Sequence, residues 1–124
     1  MKLGKALAIV IEVATDQRVS PPLMEALATL RALVAADAEL LRHRIDDLDH
    51  REIGARLPRG PGFRPRRLAR ALLCASDAAL PAIPPIDQRA TRGVAKRALR
   101  AVAIIERLAA AMGARRVAPI ATAA

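Results

Sequence analysis

The chain has 124 residues, is 53% hydrophobic with a single Phe and neither Trp nor Tyr, and carries a formal net charge of +9. That length suits one domain, and the dominance of Ala and Leu over aromatic and β-branched residues excludes a sheet-based fold in favour of an all-α one. Cys74 is the only cysteine, which excludes an intramolecular disulfide framework.

The N-terminal stretch MKLGKALAIVIEVA opens like a secretory signal, but Glu12 interrupts its apolar run. Nothing in the chain approaches the ~20 apolar residues that span a bilayer. The expectation is a cytoplasmic protein with no integral membrane segment. Leu3, Leu7, Val10 and Ala14 share one helical face and Lys2, Lys5, Glu12 and Asp16 another, predicting a helix over 2–17. The β-branched Ile9, Val10, Ile11 and Val13 make a strand the competing reading.

Ser20 as N-cap and Pro21 in the first turn mark a second helix. From there Leu23, Leu27, Leu30, Val34, Leu41, Ile45 and Leu48 recur at spacings of three, four or seven. They predict one long amphipathic helix over 21–53 whose seam is close to a heptad, able to serve an intramolecular bundle or a homo-oligomer. The stretch LPRGPGFRPRR, residues 57–67, is a Pro/Gly/Arg-rich central loop. A third helix over 66–80 buries Leu68, Leu72, Ala75 and Ala79, and PAIPPI makes a stiff connection. Asp87 caps a fourth helix over 88–112, with Val94, Ala98, Val102, Ile105, Ala109 and Met112 as its apolar face and Gly113 as its stop. The expected architecture is a single helical domain over 1–113, a bundle of about four helices, with a disordered tail over 114–124.

Both histidines lie in LLRHRIDDLDHRE, residues 40–52. On a continuous helix Glu39, Asp46, Asp47 and His50 fall within ~60° of His43, opposite the apolar seam. His43 and His50 would then stand roughly 10.5 Å apart along the axis, too far for one zinc ion with its ~2.1 Å bonds. The pairs Glu39–His43, Asp46–His50, Asp47–Arg51 and Glu52–Arg56 instead read as i,i+4 ion pairs worth about 0.2–0.5 kcal/mol each. A phosphoryl-accepting histidine is disfavoured by the neighbouring acids.

Charge divides the chain in two. Residues 1–57 carry 8 basic and 9 acidic side chains, whereas residues 58–124 carry 13 and 3. On the fourth helix Arg92, Lys96, Arg100 and Arg107 fall within ~60° of Arg89 and form a cationic stripe. Like charges stacked at i,i+4 destabilise a helix, so the stripe calls for an anionic neighbour. Because acidic and basic stripes both face away from their own helices' cores, pairing between chains is the easier expectation than pairing within one.

Together with Arg59, Arg64, Arg66, Arg67 and Arg70 the stripe is expected to engage nucleic-acid phosphates. Phe63 can stack on a base there, although a core so poor in large side chains also has a use for it. The alternative partner is an acidic protein surface within a larger complex. Docking on a membrane surface ranks below both, since the helix offers Ala and Val where insertion needs Trp, Phe and Leu. No helix-turn-helix, zinc-finger or RNA-recognition pattern supports sequence-specific reading. Neither a nucleophile motif nor a phosphate-binding glycine loop is present, so the expectation is a non-enzymatic binding or accessory protein that uses no cofactor.

Overall fold

The computed structural model describes residues 1–57 and 64–113. The described residues form six α-helices joined by short 3₁₀ turns and contain no strand. Helix α1 spans Leu3–Thr15, α2 Pro21–Ala36, α3 Ala38–Leu41, α4 His50–Arg56, α5 Pro65–Ala79 and α6 Arg92–Ala111. The all-α expectation holds, and the competing strand at residues 9–13 does not form. The expected tail over 114–124 and most of the central loop, including Arg59 and Phe63, lie outside the described residues.

Helix α5 sits at the centre, packed against α2, α6 and α1, while α1 also packs on α6 and α2. The count of about four helices is corrected to six among the described residues, while the buried faces expected for α1 and α5 and most of that for α6 are borne out. Leu3, Leu7, Val10 and Ala14 of α1 are buried, as are Leu68, Leu72, Ala75 and Ala79 of α5. Ala98, Val102, Ile105 and Ala109 of α6, and Met112 at its C-terminal cap, are buried too. The Ser20 hydroxyl accepts from the Leu23 amide at 3.4 Å, Pro21 occupies the first turn of α2, and Gly113 ends α6 with φ of 92°. Alanine at many core positions lets the helix axes approach, and Leu7, Leu30, Leu72, Ile104, Ile105 and Leu108 supply the bulk between them.

The expected long helix over 21–53 is the main correction. The chain leaves α2 at Asp37, whose backbone at φ −131° and ψ 75° is not helical and whose carboxylate accepts from the Leu40 amide at 3.0 Å to start α3. A 3₁₀ turn over Ile45–Asp47 follows, and Asp49 caps α4 by accepting from the Glu52 amide at 2.8 Å. Short carboxylates that bond nearby amides compete with helix continuation. Asp49 and Glu52 also hold the spacing of a capping box, a start signal that the heptad pattern concealed. The break allows Leu40, Ile45 and Ile53 to enter the core from three separate elements.

The seam is therefore consumed inside the chain: Leu23, Leu27, Leu30 and Ile45 are buried, Leu41 and Leu48 pack against the core, and Val34 alone of its members is exposed. It has no continuous apolar stripe left for a homo-oligomer. At the fourth helix Asp87 is not the cap. A 3₁₀ turn over Arg89–Thr91 intervenes, α6 begins at Arg92, and Val94 is 65% exposed because only Ala95 and Ala98 of the first two turns are buried.

Two positions in this packing carry opposite expectations. An added Cβ on Gly4 would lie 3.2 Å from the Leu41 Cβ and 3.3 Å from the Leu41 carbonyl oxygen, because α3 crosses closely over the start of α1. Gly4→Val should cost about 1–3 kcal/mol by overpacking this crossing. The Ser76 hydroxyl is buried in α5 without a hydrogen-bond partner, so Ser76→Ala should raise stability by about 1 kcal/mol. Urea unfolding followed by far-UV circular dichroism measures both, and a loss of stability in Ser76→Ala would mean that the hydroxyl has a partner in solution.

Candidate nucleic-acid interface

The cationic stripe of α6 does not stand apart from the acidic segment. Arg100 Nη2 reaches Asp46 Oδ2 at 2.9 Å, Arg107 Nη1 donates to the Asp46 carbonyl at 2.7 Å, and Arg107 Nη2 donates to the Leu48 carbonyl. The expectation that pairing between chains would be easier is overturned. It rested on a straight helix through residues 37–53; with that helix broken, the turn at Ile45–Asp47 lies directly on α6. Two carbonyls that a continuous helix would have satisfied internally are instead met by one planar guanidinium.

Asp46 sits where these contacts converge. The Arg100 guanidinium beside it holds its carboxyl below the ordinary carboxylate range, outweighing the opposing effect of burial, with the Met1 amino group 3.8 Å away as a further cation. The i,i+4 ladder expected for this segment is absent among the described residues: none of its four pairs comes within ion-pair distance. His43 instead accepts from Arg56 Nη1 through its Nε2 at 3.4 Å, and its carbonyl accepts from the Leu3 amide at 2.8 Å. Among the described residues no group of three or more His, Cys, Asp or Glu is placed to hold a metal ion.

The cations named from sequence thus fall into two sets. Arg100 and Arg107 fasten the 45–48 turn, and Arg92 Nε donates to the Ile86 carbonyl at 3.0 Å, folding the connection back on α6. Arg89 and Lys96 are exposed on the solvent side of the start of α6. Arg97 is exposed there as well, a cation the stripe reading passed over because it lies off the helical face of the others. The second set is Arg64, Arg66, Arg67 and Arg70, all exposed at the beginning of α5. Only Arg67 has a carboxylate in reach among the described residues, Glu25 of α2 at 3.3 Å.

The placement of this second set is electrostatically unfavourable in isolation. The N-terminal end of a helix is the positive end of its dipole and favours acids, yet the first turn of α5 has none and its N-cap, Arg64, makes no side-chain cap bond. Arg66 and Arg70 repel each other at i,i+4.

Because α2 and α5 lie with their first turns side by side, Arg64, Arg67 and Arg70 line a groove of about 630 Å³ whose other wall is Pro22, Glu25, Ala26 and Thr29 of α2, with Ala71 and Cys74 further along α5. The α2 wall was not legible in sequence, since Glu25 and Arg67 are 42 positions apart. On the other flank of α2 a groove of about 480 Å³ between α1 and α2 has Glu12 and Asp16 facing Arg31, so the cationic character belongs to the α5 side.

Among the described residues no helix is long and apolar enough to cross a membrane. No family model, curated protein or solved structure matches the chain.

The Asp46 contacts make a pH-dependent contribution to stability. A carboxyl with a lowered folded pKa stabilises the fold above its unfolded value of about 3.9 and loses that contribution as pH falls through the folded value. Asp46→Asn should cost about 1 kcal/mol at neutral pH, screened because Arg100 is largely exposed, and the difference from wild type should vanish in acid. Arg107→Met should cost more, about 2 kcal/mol, by orphaning two half-buried carbonyls. Urea unfolding of both variants between pH 7 and pH 2.5 measures the order, and a pH-independent Asp46→Asn effect would rule out the ionic contribution.

Proposed function

We propose that the protein is a non-enzymatic nucleic-acid-binding or accessory factor that grips the phosphate backbone through the arginines at the start of α5, extended by the exposed cations at the start of α6. One observation carries this reading: Arg64, Arg66, Arg67 and Arg70 are gathered on the positive end of a helix dipole, with Glu25 the one carboxylate that answers them among the described residues. Such a cluster costs folding free energy, and a polyanion offsets that cost when it binds. Arginine's planar fork matches phosphate geometry bidentately, which favours phosphate over a diffuse counter-ion cloud. The cationic stripe of α6 contributes less than its sequence spacing suggests, because Arg100 and Arg107 are occupied by the 45–48 turn.

A second reading is favoured by a different observation. Val94 and Leu99 are exposed on α6 within three residues of Lys96 and Arg97, and Ile86 is exposed beside Arg92, a mixture of apolar and cationic groups that suits an acidic protein surface better than a phosphate backbone. The two readings separate in one titration. Fluorescence anisotropy with labelled mixed-sequence RNA and DNA should show binding whose logarithm falls linearly with the logarithm of salt concentration. The triple variant Arg64→Gln, Arg66→Gln, Arg70→Gln should bind roughly tenfold more weakly at low salt and with a shallower salt slope. Absence of binding at low salt, or affinity indifferent to salt, would overturn the phosphate reading and leave the acidic-protein one.

A further inference from the structure

Resting on that reading, we infer that the groove between α2 and α5 seats one nucleotide of a single-stranded nucleic acid, with its phosphate on the α5 arginines and its base against the α2 wall. The groove's volume of about 630 Å³ lies within the range of about 300–1,000 Å³ typical of small-ligand sites. Its two sides differ chemically. Arg64, Arg67 and Arg70 project from α5, and on α2 the exposed Pro22 ring offers an apolar face with Ala26 buried beneath it. A nucleotide has the same division between an anionic phosphate and a flat, largely apolar base face.

Polar groups are also placed for a base edge. The Thr29 hydroxyl donates to the Glu25 carbonyl at 2.9 Å, which leaves its oxygen lone pairs able to accept. The Glu25 carboxylate now accepts from Arg67 Nη2 at 3.3 Å in an exposed pair, which is worth little and is displaced at little cost. When phosphate takes the guanidinium, the carboxylate becomes an acceptor for a base N–H, such as the ring imide of thymine. Duplex fits this groove poorly, because its base faces are stacked inward and only phosphates and groove-recessed base edges are accessible; single strands can turn a base out.

Cys74 makes the groove testable on the full chain. It is the only cysteine, it lines the groove, and it is half-buried there. Burial raises its thiol pKa, so alkylation is followed at alkaline pH where the thiolate forms. Short oligothymidylate at ten times its dissociation constant should slow alkylation about tenfold, and a duplex of equal length should not. Arg64→Gln with Arg70→Gln should abolish the protection, whereas Arg42→Gln with Arg51→Gln, an equal loss of charge at the end of α3 and on α4, should leave it intact. Pro22→Trp provides an independent readout: the indole would be the only one in the chain, and a base seated on that wall should quench its fluorescence. Single strands that bind with neither protection nor quenching would overturn the groove and leave the phosphate-binding surface standing. Equal protection by duplex, or protection by an acidic peptide and not by oligonucleotide, would overturn the single-strand assignment. Failure to bind any nucleic acid would remove this inference and the reading on which it rests.

Discussion

One guanidinium holds the unusual part of this fold in place. Arg107, in the last half of α6, donates to the carbonyls of Asp46 and Leu48, two backbone acceptors freed because the chain breaks one continuous helix at Asp37, ends α3 at Leu41 and starts α4 only after Asp49. Without a donor there, the break would leave polar groups half-buried against a helix, at a cost of about 1–3 kcal/mol for each one. With it, the interrupted segment folds across the bundle and inserts Leu40, Ile45 and Ile53 into the core. Arg100 reinforces the arrangement through the Asp46 carboxylate, and Gly4 permits α3 to cross α1 closely enough for the segment to reach α6.

That same interaction redistributes the protein's charge. An arginine bonded to two carbonyls is oriented and partly desolvated, and it is no longer available to a distant phosphate. The stripe along α6, conspicuous on a helical wheel, is therefore partly a structural clamp. Among the described residues the arginines opening α5 have no comparable occupation: they stand at the wrong end of a helix dipole, Arg64, Arg67 and Arg70 line a groove, and only Arg67 meets a carboxylate, itself exposed. In the function proposed above, a bound phosphate backbone is what relieves this electrostatic strain.

The core explains why such contacts carry weight. Leu, Ile, Val and Ala fill it without a described aromatic side chain, so each buried residue contributes modest apolar area. In a small domain with limited burial, one or two kilocalories per mole form a large share of net stability. A clamp arginine, a crossing glycine and an unsatisfied serine hydroxyl are then each visible in an unfolding curve.

How legible the chain was depended on the range of the interaction. Periodicity and composition determined the all-α class, the faces that α1, α5 and α6 bury, the cap at Ser20 and the stop at Gly113, because those depend on neighbours within one or two helical turns. The same local reasoning misjudged residues 37–56. Their heptad spacing is compatible with a single helix, and the choice between that helix and three pieces turns on whether Asp37 and Asp49 bond their nearby amides while Arg107, some sixty positions away, receives the orphaned carbonyls. The cationic residues were likewise visible in the sequence, yet which of them are engaged and which remain open was decided by tertiary contacts: Asp46 on Arg100, Leu48 on Arg107, and α2 laid beside α5. A sequence read with local rules shows where charges and apolar faces lie, and only the folded chain shows which of them have already found each other.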